Sequence, residues 1–336
     1  MKNVLYIGNN LKNKKSNTSS IQTLGALLEG EGYSLYYASS KSNKVFRLLD
    51  MLKSVVKLRN TADVVLIDTY STLNFYFALI VSQLCRFLDL EYIPILHGGN
   101  LPSRLKSNPK LSALIFENAK HNIAPSLYLK SEFELFGFHN ITYLPNAIKI
   151  EEYPFKNYRF DNPRLLWVRS FSEIYNPKLA VKILSELKKI EPNATLCMVG
   201  PDTDGSLKTV KQLAGDLNLD VEFTGKLTKQ DWISLSKKYN IFINTTNVDN
   251  TPISVIEAMA LGLPVVSTNV GGLPFLISEN KDGLLVAPNN VEAFVEAIIK
   301  IKFDNQLRDQ LTKNARQKVE FFSWQTVKVQ WDAVLL

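Results

Sequence analysis

Two α/β domains, each a parallel sheet with helices on both faces, are the architecture this sequence predicts. Three observations carry that expectation. Short β-branched or aromatic runs alternate with longer helix-like segments along the chain, the pattern of doubly wound parallel sheets. A polar stretch without a clear period, residues 149–163, interrupts the alternation, which then restarts. The chain has 336 residues, too many for one ordinary domain and comfortable for two.

In the first half the strand candidates are 4–7, 34–38, 64–68, 92–97, 122–124 and 141–144, with helical patterns at 20–30, 73–88 and 126–136. After a linker near 146–163 come strands at 165–169, 195–200, 221–224, 241–245 and 264–267, with helices near 177–190, 206–217 and 253–261. The expected division is therefore 1–148 and 149–321. Two such domains facing one another would place a ligand at the carboxyl ends of their strands.

Hydrophobic residues make up 46% and charged residues 21%, ordinary for a soluble globular protein and enough for two cores. Cys85 and Cys197 sit in separate apolar runs and read as buried free thiols, which fits a reducing cytoplasm. The first strand follows the N-terminus directly, with no signal-peptide pattern, and the apolar run 73–85 is too short and too polar to span a membrane. The net charge of +7 points to an anionic partner. Scattered basic residues, with the aromatics in core patterns, argue against nucleic acid.

The segment from Asn247 to Pro274, N-V-D-N-T-P-I-S-V-I-E-A-M-A-L-G-L-P-V-V-S-T-N-V-G-G-L-P, carries the chemistry. It begins where a β–α loop should open after strand 241–245. Asp249 and Asn250 suit a helix entrance and Pro252 suits the first turn. Backbone N–H groups from Thr251 to Ser254 would then meet an anion or sugar hydroxyls. A second strand-to-helix turn holds Gly271 and Gly272, where the backbone can approach a phosphate. Singly, these residues also fit a cap, a solvated helix glutamate and plain turn glycines.

As a whole the string resembles the donor-binding signature of glycosyltransferase family 4, the retaining "glycosyl transferases group 1" type. There two acidic residues are separated by seven others, here Asp249 and Glu257. The family commonly has Glu first and then a glycine-rich turn, whereas this chain has Asp249 followed by Asn-Thr-Pro. The resemblance implies a GT-B fold, two Rossmann-like domains facing a central cleft. It also implies that Glu257 holds the ribose hydroxyls, that Asp249 lies near the donor-sugar hydroxyls, and that Gly271-Gly272 meets the diphosphate.

Further positions follow. Arg169 ends the first strand of the second domain, where a guanidinium suits a diphosphate leaving group. The family pairs such an arginine with a nearby lysine, for which Lys178 is the displaced candidate. The turns at Gly200 and Gly225 end strands at the same face and resemble family elements, the second contacting the nucleotide base. In the first domain His97, beside two glycines at a strand end, is a candidate for a sugar hydroxyl or for charge at the reacting carbon. Gly8 sits where a family loop lets the acceptor or diphosphate approach, and no G-x-G-x-x-G occurs there, which argues against a dinucleotide. Lys12, Lys14 and Lys15 are candidates for an anionic acceptor.

The segment 44–59 carries five cations and one acid on a helical apolar pattern, fitting either an interfacial helix on anionic lipid or a helix packed on the first sheet. The F-S-W string near 322–324 resembles the GT-B element that returns to the first domain, so 322–336 is expected to pack there.

The reaction so implied is retaining transfer of a hexose from a nucleotide-diphosphate sugar, UDP-linked in the first instance, to a hydroxyl of a saccharide or lipid-linked saccharide. Cell-surface polysaccharide or glycolipid synthesis, cytoplasmic or at the inner face of the membrane, is the expected setting. No D-x-D pair is evident, so neither a cofactor nor an obligatory metal is expected. The competing readings are a sugar-nucleotide epimerase, hydrolase or phosphorylase on the same fold, and a non-catalytic binding subunit.

Overall fold

The computed structural model describes residues 2–11 and 19–335. Lys12, Lys14 and Lys15 lie outside the described residues. The chain divides into one unit spanning 1–147 with 324–336 and a second spanning 148–323.

The first unit holds a six-stranded sheet of β1 (Asn3–Ile7), β2 (Ser34–Ala38), β3 (Val64–Thr69), β4 (Tyr92–Leu96), β5 (Asn122–Ala124) and β6 (Ile141–Tyr143). Its order is β2-β1-β3-β4-β5-β6 and all its pairings are parallel. Alternation along β1 buries both faces. Val4 and Tyr6 join a core with Ile21, Trp324, Val327 and Trp331, while Leu5 and Ile7 join another with Met51, Val55, Phe77 and Val81. The C-terminal helix Trp324–Leu335 is tied to this unit as well by Tyr33 Oη donating to Asp332 at 2.6 Å and Trp324 Nε1 donating to Glu31 at 2.9 Å.

The second unit holds β7 (Arg164–Val168), β8 (Thr195–Val199), β9 (Val221–Gly225), β10 (Ile241–Asn244), β11 (Val265–Thr268) and β12 (Leu284–Val286), again all parallel, in the order β12-β11-β10-β7-β8-β9. Leu165 and Trp167 face a core built with helices Pro177–Leu187 and Val291–Phe303, and Leu166 faces one built with helix Ile253–Ala260.

These orders locate where a ligand can enter. Strand order reverses between β1 and β3 in the first unit and between β7 and β10 in the second. At such a switch point the loops after two adjacent strands diverge to opposite faces and leave a crevice. Gly8 and Asp68 flank the first reversal; Arg169 and the 245–252 loop flank the second. The helix Lys44–Leu58 packs Met51 and Val55 on the first sheet, as the second alternative for this segment expects, and leaves Val45, Phe46, Leu49 and Val56 exposed. Among the described residues no helix is long and apolar enough to cross a membrane.

Candidate functional site

In the second unit, Arg169 follows β7 and continues its ladder through N–H donation to Val199 O at 3.0 Å. Its guanidinium lies 4.0 Å from the centroid of the Tyr175 ring and pairs with the Asp249 carboxylate. Both side chains are largely buried, at 13% and 15% exposure. Tyr175 is held in turn: Thr245 Oγ1 accepts from Trp167 Nε1 at 3.0 Å and donates to the carbonyls of Tyr175 and Asn176 at 2.9 and 3.0 Å. The ends of β7 and β10 are thereby locked beneath the arginine. Arg169 Nε is buried with no hydrogen-bond partner, as is Ser254 Oγ at the start of helix Ile253–Ala260. Buried donors without acceptors are uncommon and point to a missing ligand.

Glu257 stands one turn into that helix and is 3% exposed, so it is not a solvated helix residue. Its Oε1 accepts from Tyr153 Oη at 2.7 Å and pairs with Lys229 Nζ. Lys229 opens helix Lys229–Ser236. Desolvation by its surroundings pulls its ammonium down to about 8, with the charge of Glu152 opposing.

The glycines at 271 and 272 also answer to the chain's own backbone. A Cβ on Gly271 (φ +52°) would lie 2.2 Å from Asp249 O, and one on Gly272 1.9 Å from Asn250 O. The absent side chains make room for the 249–250 backbone itself. Gly272 N–H is also committed, donating to Asp249 O at 3.0 Å, while Gly271 N–H makes no hydrogen bond among the described residues. Gly200 (φ +148°) is required the same way, since a Cβ there would lie 1.8 Å from Arg169 O. Gly225, at φ +70°, ends β9 with open space where a Cβ would be. Pro252 is the helix cap rather than a residue of the first turn.

Arg169, Asp249, Asn250, Gly200, Gly271 and Gly272 are thus brought together by direct contact, and Thr251 and Glu257 follow on the same loop and helix. Lys178 is not gathered with them; it lies on an exposed face, 3.9 Å from Glu173 Oε1. Lys229, Tyr153 and Tyr175 escaped the sequence reading. Thr228-Lys229-Gln230-Asp231 does carry a capping pattern after β9 that would have located Lys229 at a helix start: Thr228 Oγ1 accepts from Asp231 N at 3.2 Å.

In the first unit, His97 follows β4, its N–H donating to Thr69 O at 2.8 Å. Its Nε2 lies 2.8 Å from Asp68 Oδ1, and the Tyr70 ring stacks on it with centroids 4.9 Å apart. Gly8 makes room for Asp68: a Cβ there would lie 2.5 Å from Asp68 Oδ2. Asp68 also escaped the sequence reading, although an acid closing the buried run V-V-L-I-D is itself a signal.

Comparison with known proteins gives the family and the fold. The family described as glycosyl transferases group 1 matches residues 149–318, half of the chain, including every second-unit residue discussed above. A glycogen synthase of Mycobacterium tuberculosis is 25% identical over 199 residues, 58% of this chain and 48% of that protein. The chain thus spans about half the length of that relative. An uncharacterized glycosyltransferase of Methanocaldococcus jannaschii is 25% identical over 331 residues, 96% of this chain and 90% of that one. Among solved structures, a sucrose-phosphate synthase from Thermosynechococcus elongatus superposes with a TM-score of 0.83 at 18% identity, covering 99% of this chain and 98% of its own. Anabaena Alr3699/HepE, in complex with UDP-glucose, gives 0.81 at 17%, covering 100% and 99%. These likenesses establish the GT-B fold, with its two Rossmann-like units. With the family match over half its length, the chain belongs to the glycosyl transferases group 1 family.

Proposed function

We propose that the chain is a retaining hexosyltransferase that moves a hexose from a nucleotide-diphosphate sugar to a hydroxyl of a saccharide or lipid-linked saccharide, in cell-surface polysaccharide or glycolipid synthesis. The observation that carries this reading is the buried Arg169 guanidinium at the second switch point, oriented by Tyr175 and Asp249 and still holding an unpartnered Nε. A fixed, partly unsatisfied cation is what a departing diphosphate needs, because it stabilises charge without reorganising. In this reading Glu257 takes the ribose hydroxyls, Asp249 the sugar hydroxyls, and the amides near Asn250, Thr251 and Gly271 the phosphates. The turns at Gly200 and Gly225 shape the nucleotide subsite, and His97 meets a sugar hydroxyl. The anomeric carbon–oxygen bond to the diphosphate breaks, and the acceptor oxygen bonds to that carbon on the same face. The acceptor's proton passes to the leaving phosphate oxygen. No metal ion is assigned a part.

UDP-glucose bound to the Anabaena protein of like fold makes UDP sugars the first donors to test. Thermal unfolding is followed with UDP, GDP, ADP and their sugar conjugates on wild type and Glu257→Ala. One diphosphate class should raise Tm with the logarithm of its concentration, by an amount equivalent to about 2.7 kcal/mol at a hundredfold excess over Kd. Glu257→Ala should lose most of that shift. Absence of any shift at millimolar ligand would remove the donor site assigned here.

Peripheral membrane contact belongs to the same reading. The exposed Val45, Phe46, Leu49 and Val56 are flanked by exposed Lys44, Lys53 and Lys57, the pattern of a helix lying in an anionic interface. Co-sedimentation with vesicles containing phosphatidylglycerol should be clear for wild type and fall at least fivefold in Phe46→Ser/Leu49→Ser, a lower bound because two fully buried apolar side chains are worth about 3–6 kcal/mol. Equal sedimentation of the two proteins would sink the contact.

A further inference from the structure

Asp68 is the penultimate residue of β3 in the first unit and is 1% exposed at its side chain. Two groups converge on its Oδ1: Tyr6 Oη donates at 3.0 Å and His97 Nε2 lies at 2.8 Å. Burial, then the charge of Asp68, raises the Tyr6 phenol well above its ordinary value, so Tyr6 stays a donor. An ionised carboxylate only accepts. The hydrogen on this contact then sits on Nε2, and in the neutral imidazole Nδ1 keeps its lone pair. Nδ1 makes no hydrogen bond among the described residues, and the ring is fixed from one side by Tyr70. Asp68 Oδ2 is buried without a partner against the backbone of Gly8, where no side chain fits. A buried carboxylate kept at that cost, with one oxygen unsatisfied, calls for a return elsewhere.

We propose that Asp68 is a positioning residue that holds His97 in its Nε2–H tautomer, so that Nδ1 is presented as a hydrogen-bond acceptor to a hydroxyl of a saccharide substrate. The assignment rests on the transferase reading for the identity of the ligand, but the tautomer does not. A hydroxyl that can donate is selected, and a deoxy or O-methyl sugar at the same position would leave Nδ1 unmet. Every neighbouring group contributes to that presentation. Tyr6 and Gly8 place the carboxylate, Asp68 and Tyr70 place the ring, and the ladder bond to Thr69 places the histidine backbone.

The test has two arms on the full chain. In long-range proton–nitrogen spectra of nitrogen-15-labelled protein, His97 is assigned by its loss in His97→Gln. The expected result is a neutral His97 protonated at Nε2, with that ring proton slow to exchange, and shifted or lost to exchange in Asp68→Asn. A proton on Nδ1 overturns the proposal, and the wild-type spectrum alone decides this even if Asp68→Asn fails to fold. The second arm is a double-mutant cycle on transfer. Asp68→Asn should lower kcat/KM roughly tenfold in the wild-type background and less than about twofold in His97→Gln, since Asp68 acts through His97. Equal losses in both backgrounds would make Asp68 a merely structural residue. KM is measured separately for donor and acceptor, and the substrate whose KM responds is the one whose hydroxyl Nδ1 meets. If transfer fails altogether while the tautomer is as stated, the transferase reading falls and the Asp68–His97 assignment stands.

Discussion

Arg169→Ala is expected to lower kcat for sugar transfer by roughly 10²–10³-fold, the cost of removing one preorganised group that meets developing charge. The guanidinium is held by the Tyr175 ring and the Asp249 carboxylate, and the residue's backbone is fixed at the end of β7. Arg169→Lys should recover little, because an ammonium offers neither the planar stack on Tyr175 nor the forked donors. Removing Arg169 also leaves Asp249 without its cation at 15% exposure, and an unpaired carboxylate at that depth destabilises by about 3 kcal/mol. Asp249→Asn added to Arg169→Ala relieves the stray charge and restores most of the lost Tm without restoring turnover. Measuring kcat on folded protein, with melting curves for all three variants, separates the two effects. Turnover of Arg169→Ala within threefold of wild type would show that the leaving group is stabilised elsewhere.

Much of the fold was legible in the sequence, because a strand buried on both faces and flanked by turn residues leaves a local signature. Strands at 4–7, 34–38 and 241–245 differ from those observed by a residue or less at each end. What escaped includes the strand Leu284–Val286, the helices Lys229–Ser236, Val291–Phe303 and Asn305–Glu320, and two helices opened by proline. Leu101–Ser107 and Pro109–Phe116 are helices with proline in their first turns, in a stretch whose Gly-Gly-Asn-Leu-Pro and Ser-Asn-Pro strings read as loop. The site was legible in part for the same reason. Asp249 and Glu257 share one loop and helix, so their spacing carried them. Their partners lie far away in sequence: Tyr153 is 104 residues from Glu257, and Arg169 is 80 from Asp249. Such pairings exist only once the sheet has brought strand ends together. The glycines show the limit most directly. A missing side chain announces that something comes close, but not whether it is a ligand or the chain's own backbone.

That distinction makes Gly272→Ala a damaging change in the second unit whose effect is purely steric. The backbone of Gly272 has φ −83°, which any residue adopts, so the effect is steric alone. The added Cβ would sit 1.9 Å from Asn250 O and 2.8 Å from its carbonyl carbon. Neither is the end of a flexible side chain, so the 249–250 loop must retreat by more than 1 Å to regain ordinary contact near 3.4 Å. Retreat breaks the bond from Gly272 N to Asp249 O and draws Asp249 away from Arg169. Overpacking with loss of a buried hydrogen bond costs about 2–4 kcal/mol, equivalent to a fall in Tm of roughly 5–15 °C in a domain of this size. Nucleotide affinity should fall at least tenfold even well below the new Tm, because the loop that carries the donor-binding groups has moved. Gly215→Ala is the matching control: it lies in helix Ser206–Asp216 with nothing within 4 Å of its Cβ position, so alanine there should be neutral or stabilising by up to about 1 kcal/mol. If the two variants melt together, the 249–250 loop yields without cost and Arg169 is not held in place from that side. If Gly272→Ala melts early but binds nucleotide as wild type does, the contact is structural, and the donor groups take their positions from helix Ile253–Ala260 rather than from the turn packed against it.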